Sequence, residues 1–453
     1  MRRPSARPAP ALAFALLVAG TVLGIAGTDL VLPAVPGLPE ALGGTPATAQ
    51  LVLAAFVAGS GIGLLLFGEL GARLDQRSLL AASLFLYAAL SAAAAAAPSL
   101  DWLVALRLLQ GAAGSAAAVF APGMIRAMFD DAQAVRALGL FGSIESLVPA
   151  LAPIIGVWLL SIGDWRLSFE LIAILSLLLA GVLIALRRRL PEIAPAARGG
   201  GYGRLLAEPV FLRYALSQAL SLGALLTFVF GAPAVIVGPM GGTLTDFIVV
   251  QVVGIAFFIL GANVAGRLVA RFGAEPAIFG GTALSADGMA AMLAYALAGG
   301  DDPMAVALLA VPVNLGFGFR GPPGFFHAVL AASGDDARGA ALTILFILLT
   351  AAGIYTFRYA QLPGQLQYLD RIVGTVLGMV LGALIVGIVA TLLYNLMIVR
   401  GGRNIEFPIM RALGSSVATS SILQYFSQFL LPQTYALLDP VLPDGAALIF
   451  AAQ

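Results

Sequence analysis

Twelve apolar runs, each near the roughly 20 residues that cross a bilayer as a helix, follow one another at 11–33, 48–69, 78–98, 102–125, 137–161, 167–186, 212–236, 246–270, 276–298, 303–331, 338–357 and 372–397. Polar residues collect in the gaps, and the gaps alternate in charge. Arg73 and Arg77 follow the second run, Arg126 and Arg136 the fourth, and Arg187, Arg188, Arg189, Arg198 and Arg204 the sixth. Arg267 and Arg271 follow the eighth, Arg338 the tenth, and Arg400, Arg403 and Arg411 the last. The opposite gaps carry Glu40, Asp101, Asp164 with Arg166, and Asp301 with Asp302; Arg358 and Arg371 are the exceptions. The positive-inside rule then predicts two cytoplasmic termini. The start, MRRPSARP, has Arg2, Arg3 and Arg7 but no cleavage site, so it reads as a tail before a retained first helix.

The longest polar interruption, 187–210, is rich in Pro, Gly and Arg and divides the runs six and six. The expected organisation is a cytoplasmic tail at 1–10, a six-helix bundle at 11–186, a cytoplasmic linker at 187–210, a second six-helix bundle at 211–397 and a cytoplasmic tail at 398–453. Within that last tail, IMRALGSSVATSSILQYFSQFLL reads as an interfacial amphipathic helix or a weak thirteenth crossing, the former favoured because Ser and Gln interrupt its apolar character.

Composition narrows the chemistry. Of 453 residues 60% are hydrophobic and 10% charged, against about 25% charged in soluble domains, so lipid is the solvent. The absence of cysteine removes disulfides, thiol chemistry and zinc–thiolate sites. A net charge of +1 argues against a nucleic-acid groove. There is no GxxxxGK[ST] loop for a nucleotide, and no serine has a histidine companion at matching depth. An enzyme is not expected, nor a cofactor.

Function must then lie in the polar residues inside the runs. Asp29, Pro33 and Pro36 in GTDLVLPAVPGLP have the i, i+4, i+7 spacing of one helical face. A carboxylate inside the membrane costs about 2.5–3.5 kcal/mol unless it finds a partner or a wet cavity, and partial desolvation suits it to carrying a proton. The alternative is a helix-end aspartate bonded to backbone. In the fourth run Arg107, Gln110, Gly111 and Gly114 share a stripe, and Arg107 is at a depth where it can meet Asp29 and tune it, or pair with it permanently. In the fifth, Glu145, Pro149, Pro153 and Gly156 share a face; Glu145 is a second proton or cation site, or a buried carboxyl that is simply protonated. The turn FGELGARLDQRSLL holds Gly68, Arg73, Asp75 and Arg77, which either pair with a neighbouring bundle or anchor the inner face. GANVAGRLVARFG, with Arg267, Arg271 and Gly273, is a weaker echo of it. In the second half Asp287 and Arg320 are deep charges at similar depth, plausible as a pair, and the sole histidine, His327, is either structural or a relay.

Together these segments resemble the major facilitator superfamily, most closely its twelve-helix drug/proton antiporters of the Bcr/CflA type. TDLVLPAVP at 28–36 resembles the first-helix signature, LVALRLLQGAAGS at 103–115 the fourth-helix signature, and APIIGVWLL at 152–160 with DWR at 164–166 the antiporter signature. The resemblance implies an all-α integral membrane fold of two pseudo-symmetric six-helix bundles around a central cavity, worked by alternating access. It departs from the family's G-x-L-x-D-R-x-G-R-R loop, where Ala72 replaces the acid and Asp75 the second glycine, so a charge relay between bundles is either displaced to Asp75 or weakened. Val157 thins the fifth-helix signature, and Glu145 is outside the pattern.

The leading expectation is a proton-coupled exporter of small amphiphilic drugs or metabolites, a monomer in the inner membrane with the proton as coupling ion. Asp29, Arg107 and Glu145 are its coupling residues, and Gln110, Gly111, Gly114, Pro149, Phe230, Asn314 and Arg320 the cavity candidates. Gly68, Arg73, Asp75, Arg77, Pro153 and Gly156 are the gating candidates. An importer or uniporter on the same scaffold is the second expectation, and a non-transporting scaffold or sensor the third.

Overall fold

The computed structural model describes residues 10–194, 196 and 200–359. The chain divides into two compact units, Met1–Ile354 and Tyr355–Gln453, and the helical spans through Ile354 make up the first. The twelfth apolar window, both terminal tails, Arg198, and the side chains of Phe230 and Arg358 lie outside the described residues.

Among the described residues eleven helical segments are long and apolar enough to cross a membrane. They are built from α1 (Pro10–Asp29), α2 (Leu38–Leu42), α3 (Pro46–Arg73), α4 (Gln76–Ala95), α5 (Leu100–Gly114), α6 (Ala116–Met128), α7 (Asp131–Ile162) and α8 (Arg166–Leu186). After the linker helix α9 (Tyr202–Leu206) come α10 (Pro209–Val237), α11 (Leu244–Phe272), α12 (Ala274–Leu297), α13 (Pro303–Ala331) and α14 (Asp336–Tyr359). Most gaps supply a local start signal. Thr45, Asp75, Ser99, Asp130 and Thr243 each accept a hydrogen bond from a backbone N–H of the first turn of the helix that follows, replacing a partner the helix cannot provide for itself. The tenth and eleventh runs part at a turn where Ser333 and Gly334 take positive φ of 55° and 85°.

Two runs are not single α-helices. The first stops at Asp29 and continues as a 3₁₀ helix, Leu32–Gly37, because Pro33 and Pro36 lack an N–H and crowd the preceding turn. Asp29, Pro33 and Pro36 therefore do not share one α-helical face, as their spacing predicts. The fourth is interrupted at Ser115, whose hydroxyl bonds the Ala112 carbonyl. The linker also differs from a plain tether, since Leu190 and Leu205 are buried and the Ala196 N–H bonds the Ala72 carbonyl.

Glycines set the tightest helix contacts, and they do so twice. Gly59, Gly63 and Gly111 bring the backbones of α3 and α5 together, while Gly261 and Gly318 do the same for α11 and α13. A Cβ at any of these positions would strike a carbonyl or backbone atom of the facing helix. Without a hydrophobic drive between helices in lipid, such close backbone approach is what packing has to rely on.

The apolar cores differ between the two ends of the molecule. At the end bearing Arg73, Arg126 and Arg338, one core is continuous across both halves, joining Leu64, Phe67, Phe120 and Leu138 to Ala265, Phe326 and Ala341. At the opposite end each half closes its own core. In the first half it runs from Leu30 and Val52 through Leu103 and Ala152 to Phe169, and in the second it is a small group of Ala232, Ile236, Val250 and Ala307. The halves are thus joined at the arginine-bearing end and separate at the other.

Candidate functional site

The seam between the halves is made by α7 against α11 and by α3 and α6 against α14. Gly139 lies against the Ala262 carbonyl and Gly266 against Arg136, and Asn263 donates to the Ser143 hydroxyl at 2.9 Å. At the arginine-bearing end four ion pairs gather on it. Arg126 of α6 holds Asp336 of α14 in a fork, with Nε to Oδ2 at 3.0 Å and Nη2 to Oδ1 at 2.6 Å. Arg338 donates Nε to Glu69 at 2.7 Å and Nη1 to Asp335 at 2.7 Å, and Arg73 pairs with Glu69 from its own helix.

The acid of the turn after the second run that crosses the seam is therefore Glu69, not Asp75. Asp75 is occupied locally: it accepts from Ser78 Oγ at 2.7 Å, Arg77 at 3.0 Å and Arg187 at 3.3 Å. Burial raises its carboxyl, but the hydrogen bonds from Ser78 and Arg77 and the charge of Arg77 outweigh it and hold the group below the usual aspartate range. Arg77 turns toward Glu192 of the linker at 3.2 Å. Glu69 stands one helical turn before Ala72, on the same side of α3. The compensating acid is visible in the sequence only as the second residue of GEL, at a position without a fixed identity in the family's loop.

Gly68 sits beneath the Tyr202 hydroxyl and against Ala341 of α14, and Tyr202 donates to the Leu65 carbonyl at 2.6 Å. Arg204 donates to the Ala332 carbonyl at 2.8 Å. The linker thus touches both halves beside the ionic contacts, a role its composition gives no sign of.

Arg107 is completely buried and makes no ion pair among the described residues. It donates Nε to the Val52 carbonyl at 3.1 Å and Nη1 to the Gly27 carbonyl at 2.9 Å and to Gln110 Oε1 at 2.8 Å, with its guanidinium 4.1 Å above the Phe56 ring. Its Nη2 has no partner. Asp29, two residues past Gly27, is half-buried and has no hydrogen-bond or ionic partner among the described residues. At 100° per residue Asp29 points away from the Gly27 carbonyl that Arg107 holds, and the two groups are not bonded.

Gln110 passes the network on to Ser91 at 2.7 Å. Gln110 and Gly111 are buried, Gly111 against α3 and Gly114 against Tyr87, so these three are packing positions of the first half rather than lining of a cavity in this conformation. Periodicity places them on one stripe but cannot say which way an all-apolar helix is rotated. Asn314 is likewise buried, bonding the Ala310 carbonyl and lying against Gly254. Arg320 does not pair with Asp287, which is exposed on α12. It donates instead to the Ser217 carbonyl at 2.9 Å and hydroxyl at 2.8 Å. His327 stacks on Tyr214 with ring centroids 5.4 Å apart, and Tyr214 donates to Glu275.

Along α7 the large exposed residues Leu140, Leu147, Leu151, Ile154 and Trp158 mark the lipid face. At 100° per residue, Gly142, Glu145, Pro149 and Pro153 lie on the opposite side, turned inward. Gly142 has open space beyond its Cα, and Pro149 is exposed although it faces the interior. Gly156, on the same side, packs against the Leu30 carbonyl and Pro33. No cluster of metal-ligating side chains occurs among the described residues.

Similarity to known proteins is consistent in kind with this arrangement. The chain is 30% identical over 261 residues to a chloramphenicol resistance protein of Pseudomonas aeruginosa, covering 56% of this chain and 61% of that protein. It is 25% identical over 257 residues to a bicyclomycin resistance protein homolog of Haemophilus influenzae, covering 55% and 64%. It is 24% identical over 226 residues to the multidrug resistance protein MdtL of a Shewanella species, covering 48% and 55%. The matches therefore span somewhat more than half the length of these relatives. In fold, it is similar to the transporter FucP in its outward conformation, with a TM-score of 0.59, 19% identity and coverage of 75% of this chain and 89% of that one. A second similar structure is the proton:xylose symporter XylE, with a TM-score of 0.60, 14% identity and coverage of 80% and 90%. The profile of the Major Facilitator Superfamily matches residues 17–357; the chain is a multi-pass membrane protein that belongs to this superfamily.

Proposed function

We propose that the chain is a proton-coupled exporter of small amphiphilic molecules, acting as a monomer in the inner membrane by alternating access. The observation that carries the reading is Asp29, a half-buried carboxyl at the end of α1 with no described partner, two residues past the Gly27 carbonyl that the buried Arg107 holds. Protonation of Asp29 changes the charge at the end of α1 that Arg107 anchors through Gly27, and a charge-dependent change in helix packing is what a coupling step requires. Drug export is supported by the names of the resistance proteins to which the chain is similar.

The arginine-bearing end is the cytoplasmic one by the positive-inside rule, with Trp102, Trp158 and Trp165 all near the other end. The separate outer cores support a division of the described spans into two halves on either side of the linker. The conformation is then closed to the cytoplasm by the contacts of Arg126, Glu69 and Arg338 and open outward. Proton entry supplies about 2.3 kcal/mol per charge for each 100 mV.

The test is pH-gradient-driven flux in proteoliposomes with Asp29→Asn. Coupled flux is lost while membrane insertion and thermal stability persist; unchanged flux removes Asp29 from the mechanism. The sign of proton movement on solute entry separates export from import: antiport releases protons from the lumen, and symport takes them up.

A further inference from the structure

Among the described residues, Glu145 is the one acidic side chain turned into the interior of the first half at mid-membrane, and no described residue pairs with it. Its depth follows from α1. Phe14 meets Phe141 with ring centroids 6.5 Å apart, and Leu30 meets Gly156, so α1 and α7 run parallel and in register. Glu145 is then level with Val18, and eleven residues separate it from Gly156, about 16 Å of helix. It lies about that far from Asp29, so the two carboxylates occupy different levels of the membrane.

No described cation pairs with it. Arg107 is taken up by Val52, Gly27 and Gln110, and Arg320 by Ser217. The nearest polar contact across the seam, Asn263 to Ser143, is satisfied on its own. Around Glu145 lie the open position at Gly142, the exposed ring of Pro149 and the half-buried Ser146, with Phe141 and Val148 forming an apolar flank toward α1. An unpaired carboxylate at this depth is costly unless something supplies the opposite charge, and an apolar flank beside it suits a cation with a greasy body.

We propose that Glu145 is the specificity-determining group for lipophilic monocations: their positive charge rests on its carboxylate while Asp29, at another depth, handles the proton. This rests on the export reading above. It gives the cavity two classes of guest, cations that need Glu145 and neutral molecules that do not.

The test is equilibrium binding of tetraphenylphosphonium to the purified full chain at one pH, comparing wild type with Glu145→Gln, Glu145→Asp and Asp101→Asn. Glutamine keeps the shape and removes the charge, so binding should weaken about tenfold or more. Aspartate should restore much of it, and Asp101→Asn, at the exposed outer start of α5, should leave it unchanged. Thermal melting of each variant verifies folding, and if Glu145→Gln does not fold, Glu145→Asp must still bind more weakly than wild type. The proposal is overturned if wild type does not bind the probe, if Glu145→Gln binds as wild type does, or if Asp101→Asn weakens binding as much. Binding that behaves as expected, with no pH-driven flux of wild type in vesicles, instead sinks the export reading and leaves this one standing.

Discussion

Replacing Glu69 by glutamine should loosen the closed end of the protein by a calculable amount. Arg338 is 5% exposed and its Nε is held by Glu69 at 2.7 Å, while Asp335 takes Nη1. Glutamine still offers one carbonyl oxygen, so what is lost is the charge share of a partly buried contact, about 1–2 kcal/mol. That shifts the balance between closed and open forms of the arginine-bearing end by roughly 5- to 30-fold. The chain has no cysteine, so a single reporter thiol needs no background removed. Gly142→Cys is suitable because a Cβ there meets nothing, and the α7–α11 seam at Gly139 shields it from the arginine-bearing side. In inverted vesicles a membrane-impermeant maleimide should label it roughly 5- to 30-fold faster in the Glu69→Gln background. Adding Arg126→Gln should raise the rate further, since the fork to Asp336 is a separate contact across the same seam. Labelling that changes less than about twofold in both backgrounds would mean that these ion pairs do not hold the end shut.

Other expectations concern neighbouring contacts. Arg107→Ala should lower stability by about 2 kcal/mol or more, because it strands Gln110 Oε1 inside a fully buried network; thermal unfolding in detergent measures it, and a wild-type melting temperature would show the network to be dispensable. Gly68→Leu should push Tyr202 and Ala341 aside and increase Gly142→Cys labelling as Glu69→Gln does, whereas an unchanged rate would place Gly68 outside the seam. Asp75→Asn keeps the helix cap but removes a carboxylate whose folded-state pKa lies below the usual value. Its stabilising share is present above the ordinary aspartate range near about pH 4 and is lost as pH falls through the lowered value. The stability gap between wild type and Asp75→Asn should therefore be full at pH 7 and close under acid, and a gap that widens under acid would contradict the assignment.

Some of this is legible in the sequence and the rest is not, for identifiable reasons. Span positions and helix starts follow from apolar length and from Thr45, Asp75, Ser99 and Asp130, which act within a few residues of themselves. The alternation of arginines between gaps likewise needs no tertiary information. The orientation of Gln110 and Gly111 is out of reach, because a helix surrounded by apolar neighbours shows no dominant face. The pairing of Arg320 with Asp287 fails for a related reason: equal depth fixes one coordinate, and rotation turns Asp287 outward and Arg320 toward Ser217. Glu69 escapes notice because a displaced acid is recognisable only once α14 is seen beside it. Arg107 reaches the end of α1 that carries Asp29 only through the Gly27 carbonyl, and peptide carbonyls occupy the guanidinium in place of the carboxylate.

The segment joining the halves is also a mechanical part. Tyr202 grips the Leu65 carbonyl, and two residues on Arg204 grips the Ala332 carbonyl, so a span of three residues is pinned at both ends to the two halves, which the proposed alternating access would swing apart. Such a short leash has no slack, and one grip has to let go on every stroke. Whichever yields first decides which body carries the leash away, and lengthening it by a few glycines would let both grips persist while the stroke is made, turning a stitch into a hinge.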